Sequence, residues 1–382
     1  MEAIELLEII AKGEDSNHQF KAGDAAKESL AQEMIAFSNS GGGKLFIGVN
    51  DDGTLSNLTQ EDIRQLNNRV SNAACDLVRP PINPLIENVL VESRLVMVVT
   101  IFDGIRKPYM DNNGSIWVKN GANKRQVTAP EEMQRILQSS GLIHGDEIPA
   151  NGLTISDLDV EYFRLFFERA FGESLGSQDL PLDKILQNMN LAKDGNLNIA
   201  GALLFAQRPQ FRLPVFIVKA IAYPGEGIHQ TQYLDSQDFS GKLADVFQKT
   251  LSFITGNLRN IQGDQTVNSI GVPEIPKISI EELLTNALIH RDYFISAPIR
   301  VFIFSNRVEL VSPGHLPNNL TVENIKTGNS NIRNPILASF ATKILPYRGL
   351  GNGIRRALKE YPSIDFIDDK SSNLFKVIIR RR

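Results

Sequence analysis

Residues 278–293, ISIEELLTNALIHRDY, have the periodicity of a helix yet carry a glutamate and an asparagine four positions apart, Glu282 and Asn286. At that spacing both side chains leave one face of the helix, while Leu283, Leu284, Ala287 and Leu288 supply another face to bury. Asparagine disfavours helix interiors because its amide competes for backbone hydrogen bonds, so Asn286 asks for a use beyond the helix. A carboxylate and an amide aimed into a cleft can position a water and a Mg²⁺ ion. A second signal lies at 348–354, RGLGNGI, where Gly349, Gly351 and Gly353 make a turn opening into a helix. Such a turn receives phosphates on its backbone N–H groups. The pair and the turn together describe a nucleotide site that is not a P-loop.

Around this helix the 382-residue chain alternates helical and strand-like periods, with length enough for two or three domains. Residues 2–11, 27–38, 60–77 and 129–139 read as helices, and 44–49, 85–91, 95–102 and 115–119 as strands. The first 140 residues are therefore expected to form a mixed α/β or α+β domain. Residues 141–152 have the composition of a linker. Beyond them, 155–171, 180–191 and 241–261 read as helices, and 199–205 and 215–223 as buried strands. The last segment adds strands at 300–304, 307–311 and 374–380. The expected division is 1–140, a linker at 141–152, a helical and α/β middle region at 153–265, and a closing domain at 266–382.

One cysteine, Cys75, excludes an intramolecular disulfide framework and a multi-cysteine zinc site. Its neighbours Ala73, Ala74 and Leu77 predict a buried position. The opening MEAIELLEIIAKGED is amphipathic and acidic, unlike a secretory leader. No apolar run approaches a membrane span, so a cytoplasmic protein without a membrane partner is expected. A net charge of −4 leaves no chain-wide footprint for nucleic acid, and any such binding needs a local basic surface. Lys119, Lys124 and Arg125 beside Trp117, with Lys21 and Lys107, are the candidates. They offer charge for a phosphate backbone and a ring for stacking. A solvated charged edge has the same composition.

Several segments carry resemblances. Glu14, Gln19-Phe20-Lys21, Ile35-Ala36-Phe37-Ser38-Asn39-Ser40-Gly41-Gly42 and Gly48-Val49-Asn50-Asp51-Asp52-Gly53 resemble the Schlafen-type AlbA nucleic-acid-binding domain, as do Lys107-Pro108-Tyr109 and Trp117-Val118-Lys119-Asn120-Gly121. Further on, EELLTNALIHRDY (281–293), RVELVSPGHLP (307–317), IRNPILA (332–338) and RGLGNGI (348–354) follow one another in order. They resemble the Bergerat-fold module of the GHKL ATPases, in the variant that follows Schlafen-type domains in bacterial transcriptional regulators and RecG-like proteins.

The resemblance implies an α/β sandwich that binds ATP with Mg²⁺. Carried over by position, it makes Glu282 the residue that orients an attacking water and Asn286 the Mg²⁺ ligand. It assigns the phosphates to Gly349, Gly351 and Gly353, brings Arg291, Asp292 and Gly314 to the nucleotide, and makes 318–347 a lid. Where the pattern carries an acidic residue that reads adenine, this chain has Val311-Ser312-Pro313-Gly314. For the N-terminal domain it implies DNA or RNA as partner. Schlafen proteins that cleave RNA assemble three carboxylates on a metal; here Glu14 and Asp51 remain, while Gln19 and Asn50 stand at the other positions. Neutral side chains weaken a site for a hard cation. Three functions stand open. One is a homo-oligomeric regulator in which a slowly hydrolysing nucleotide module controls a nucleic-acid-binding domain. The others are a metal-dependent endonuclease using Glu14 and Asp51, and an ATPase-like scaffold for a protein partner.

Overall fold

A computed structural model describes residues 1–228, 232–262, 271–317 and 320–381; Asn318, where the expected lid begins, and Arg382 lie outside them. The chain divides into two units, Met1–Leu142 and Ile143–Arg382. In the first, α1 (Ala3–Lys12) precedes β1 (His18–Lys21), α2 (Lys27–Asn39), β2 (Gly43–Ile47), α3 (Gln60–Asp76), β3 (Leu85–Val91) and β4 (Arg94–Ile101). β5 (Trp117–Asn120), β6 (Asn123–Gln126) and α4 (Pro130–Ser139) close it. The main sheet runs β1-β2-β4-β3, with β1 parallel to β2 and the other neighbours antiparallel.

These strands are nearly continuous apolar runs because both faces of the sheet are covered. Leu45, Ile47, Met97 and Val99 pack with Leu30, Met34, Leu66 and Val70 of α2 and α3. Phe46, Val96 and Val98 turn the other way, toward Leu6 of α1. A capping box starts α3, where Thr59 and Asp62 satisfy each other's backbone N–H groups. Cys75, expected inside, is exposed. It falls off the stripe of Leu66, Val70, Ala73 and Ala74 that α3 buries.

The second unit contains β7 (Pro149–Thr154), α5 (Val160–Phe171), α6 (Leu182–Asn188), β8 (Ala192–Lys193), β9 (Asn196–Asn198), α7 (Ile199–Phe205), β10 (Val218–Ala222), β11 (Asp235–Phe239) and α8 (Leu243–Gly256). There follow β12 (Asn260–Ile261), β13 (Val272–Pro273), α9 (Lys277–His290), β14 (Ile299–Ile303), β15 (Arg307–Pro313), α10 (Val322–Lys326), α11 (Pro335–Ile344), α12 (Gly353–Glu360), β16 (Ile364–Asp369) and β17 (Leu374–Arg380). Six strands form one sheet in the order β11-β10-β14-β15-β17-β16, with β10 and β14 its parallel pair. A single apolar core takes in residues from Ala150 to Ile379. No helix among the described residues is long and apolar enough to cross a membrane.

Residues 199–205 form a helix rather than the expected strand. All seven residues are buried, so no alternation separates the two periods. Asn198 decides the outcome, because its Oδ1 accepts the Gly201 N–H at 2.8 Å and caps the helix. The helix expected over 155–171 begins only at Val160, where Asp159 accepts the Tyr162 N–H; 155–157 form a short 3-10 turn. The helix expected over 241–261 stops at Gly256, and 260–261 pair with 272–273. Asp146, within the stretch of linker composition, is fully buried, and its Oδ2 accepts the Leu337 N–H at 2.9 Å in the first turn of α11.

Candidate functional site

α9 is buried on nearly every side, which explains an apolar content too even for a marked amphipathic stripe. Ser279 Oγ donates to Ala357 O at 3.1 Å and ties α9 to α12. On the side toward α12, Glu282 and Asn286 meet Gly353. A Cβ on Gly353 would lie 2.5 Å from Glu282 Oε2 and 3.2 Å from Asn286 Nδ2. Glycine is what lets α12 begin against those two side chains. Gly349 and Gly351 hold φ of 68° and 70°, a region that costs little only for glycine. A Cβ on Gly351 would also stand 2.5 Å from Gly328 O. α12 has no side-chain N-cap, so its first N–H groups remain available to a ligand.

Asn286 Nδ2 donates to Glu282 O at 2.6 Å. The amide is thereby satisfied inside its own helix, and Oδ1 is the acceptor left to it. Glu282 Oε1 stands 3.1 Å from Arg356. Burial raises the Glu282 carboxyl above its ordinary value, with Arg356 and Arg348 drawing it back. These groups line one cleft. His290, Ser312, Gly314, His315, Arg333 and Tyr347 also line the cleft. His290 Nε2 and Tyr347 Oη are hydrogen-bonded at 3.3 Å.

Gly314 lines the cleft as expected, but Arg291 and Asp292 do not. Arg291 is 2% exposed. Its Nη2 donates to Ile295 O at 3.1 Å and Ala297 O at 2.6 Å, and the guanidinium lies over the rings of Phe216 and Tyr293. Internal partners hold the cation that the resemblance directed at the nucleotide. Asp292 Oδ1 accepts the Phe294 N–H at 2.9 Å. Within the expected lid, α11 belongs to the core through Ile336, Leu337 and Ala341.

Two groups of this unit, the buried Asp146 and the cleft-lining His290, oppose each other in pH. Burial pushes the Asp146 carboxyl up to about 6, and burial with the nearby Arg333 charge pushes the His290 imidazole down to about 4. Between pH 4 and 6 the folded unit holds a proton at Asp146 that the unfolded chain releases, so this contribution to stability falls as pH rises. His290 stays neutral when folded and is protonated when unfolded, so its contribution is lost as pH falls from 6.5 toward 4. Each is worth roughly 3 kcal/mol at 1.36 kcal/mol per pKa unit. Asp146→Asn should therefore gain melting temperature relative to wild type as pH rises from 4 to 6. His290→Asn should gain it as pH falls through the same window. Parallel curves for all three proteins would exclude the pair.

In the first unit, the candidate lysines gather around a residue that sequence reading passed over. Glu33 of α2 is 2% exposed, with Lys124 at 2.9 Å, Lys21 at 3.4 Å and Lys119 at 3.8 Å. Lys119, expected as a surface contact, is enclosed: Nζ donates to Gln19 Oε1 at 2.6 Å and Ala122 O at 2.7 Å. Burial lowers its pKa against the pull of Glu33 and Glu14. Gln19 in turn donates to Glu14, which also accepts the Phe20 N–H at 2.7 Å. Arg125 is taken up by Glu132 and Lys107 by Asp103, at 2.5 and 2.6 Å. Trp117 is half-buried, with Nε1 donating to Asp111 at 3.0 Å. Lys21 and Lys124 are the cluster members that reach solvent. Asp51 lies in the exposed turn after β2, and among the described residues no three His, Cys, Asp or Glu side chains are grouped to hold a metal. Glu33 had a signal in the sequence, a charge placed on the same face of α2 as Leu30, Met34 and Phe37.

Comparison with known families supports the two-part reading. Residues 14–128 match the family described as "Schlafen, AlbA_2". Residues 296–377 match the family described as "Putative ATP-dependent DNA helicase recG C-terminal". The chain thus carries an AlbA-type Schlafen domain and a RecG-like ATPase-type domain. The second match includes Gly314, Arg333 and the glycine turn; Glu282 and Asn286 precede it. A crystal structure of a protein from Corynebacterium diphtheriae is similar over 99% of this chain and 80% of that one, at 20% identity and a TM-score of 0.47. The solution structure of the N-terminal domain of a RecG-related protein from Nitrosomonas europaea covers 34% of this chain and 96% of that one, at 19% identity and a TM-score of 0.26. No curated protein matches.

Proposed function

We propose that this chain is a nucleotide-controlled, nucleic-acid-binding regulator acting in the cytoplasm as a homo-oligomer. The observation that carries the reading is the cleft of the second unit, where Glu282, Asn286 and the uncapped, glycine-bounded start of α12 converge. The backbone N–H groups of the turn receive the phosphates of a nucleoside triphosphate, with the helix dipole favouring their charge. The oxygen donors present suit Mg²⁺ carried in with phosphates, since one amide oxygen from Asn286 is enough protein ligation when phosphates and waters complete the shell. The ion would neutralise phosphate charge there. Burial makes the Glu282 carboxylate a stronger base than an exposed one, but Arg356 stands 3.1 Å from its Oε1, and an oxygen already paired suits a slow switch better than a fast ATPase. In the first unit, three lysines around one carboxylate leave an excess of positive charge, and Lys21 and Lys124 present it to a phosphate backbone. Nucleotide occupancy is proposed to change that unit's hold on nucleic acid.

Calorimetric titration with ATP and Mg²⁺ tests the site. Wild type should bind, and Asn286→Ala should bind about tenfold more weakly or worse, the worth of one charge-assisted contact. A wild type that binds no nucleotide ends this reading. Unchanged oligonucleotide affinity with and without ATP ends the coupling alone.

A further inference from the structure

The end of the cleft beyond α9 carries a cation and no carboxylate. Arg333 Nη1 donates to His290 O at 3.3 Å and Nη2 to His315 O at 2.6 Å. Its Nε is enclosed without a hydrogen-bond partner, as is His315 Nδ1. Asp292 and Asp368, the carboxylates whose charge reaches Arg333, are committed to the N–H groups of Phe294 and Leu316. Among the described residues that line the cleft, Glu282 is the one carboxylate, and it belongs to the glycine-turn end. Gly314 gives the guanidinium its place in the wall, since a Cβ there would stand 2.5 Å from Nη1.

Position assigns the ligand group that meets this cation. From Glu282 to His290, α9 advances about 12 Å at 1.5 Å per residue. A nucleotide with its phosphates on the glycine turn therefore brings its base, rather than its phosphates, to Arg333. The amino group of adenine is a donor and would face a donor. O6 and N7 of guanine are both acceptors, and arginine reads that edge through two N–H groups. We propose that Arg333 selects a 6-oxopurine nucleotide over an adenine nucleotide in this cleft. The proposal rests on the nucleotide reading of the cleft given above.

Titration of the full chain with GTP, inosine triphosphate and ATP, each with Mg²⁺, tests it. The two 6-oxopurines should bind about tenfold or more tightly than ATP, the discrimination of one bidentate contact. Arg333→Gln should bring the three affinities together chiefly by weakening GTP and inosine triphosphate. Arg333→Lys, which keeps the charge but loses the planar fork, should fall between. ATP bound as tightly as GTP by wild type overturns the selection and leaves the nucleotide site standing. Equal losses for all three nucleotides in Arg333→Gln make Arg333 a phosphate ligand and also overturn it. No binding of any nucleotide removes the site and the proposal together. The wild-type comparison decides even where the variants do not fold.

Discussion

Glu33→Ala should destabilise the first unit by about 3–5 kcal/mol, the usual cost of removing one partner from a buried ionic cluster. The carboxylate has Lys124, Lys21 and Lys119 within 4 Å, and the Lys119 side chain is only 2% exposed. Without Glu33, the Lys119 ammonium keeps its neutral acceptors but loses its nearest countercharge. The single tryptophan, Trp117, lies in this unit, so urea unfolding followed by its fluorescence reads the first unit apart from the second. Glu33→Gln should recover part of the loss, because an amide oxygen still accepts from Lys124. A midpoint shift worth less than about 1 kcal/mol, the range of exposed ion pairs, would mean that the lysines relax into solvent.

The second large effect belongs to the glycine turn. Gly351→Ala should weaken nucleotide binding about thirtyfold or more, corresponding to roughly 2 kcal/mol of backbone strain if it falls on the binding conformation. Two causes act together. A non-glycine residue is strained at φ of 70°, and its Cβ would press on Gly328 O, a backbone atom that cannot swing aside. The Trp117 unfolding curve should not move. A variant that binds nucleotide like wild type would place the phosphates elsewhere in the cleft.

Much of the first unit was legible because its elements differ in period. α2 and α3 repeat near 3.6, and the strands are short apolar runs bounded by turns. Legibility failed where burial is complete or nearly absent. The helix at 199–205 has no polar face to reveal its period. The strand at 235–239, DSQDF, buries only Phe239 at one edge of its sheet. In the site, Glu282, Asn286 and the three glycines could be named in advance because an amide inside a helix and closely spaced glycines are locally unusual. Arg333 could not, since its meaning depends on which remote carbonyls surround it, and Glu33 showed only as a charge on the apolar face of α2, without the three lysines that give it its role. Arg291 shows the converse: a charged residue beside the Glu282/Asn286 helix turns inward to carbonyls and rings.

The parallel pairing of β10 with β14 sets how this unit can be made and cut. Val218 stands opposite Ile299, and α9, which supplies Glu282 and Asn286, lies between the two strands in the chain. The segment 296–377, coherent as a unit of sequence similarity, is therefore not a unit of folding. Excised, it would expose the edge of β14 where β10 belongs, an invitation to pair with other chains. During synthesis β10 emerges long before its partner, so the sheet closes late, by a long-range contact of the kind that slows folding. The shortest fragment that keeps the cleft and its sheet whole begins before β10, in the stretch that by composition alone looked like a spacer, where Asp146 is tied to Leu337.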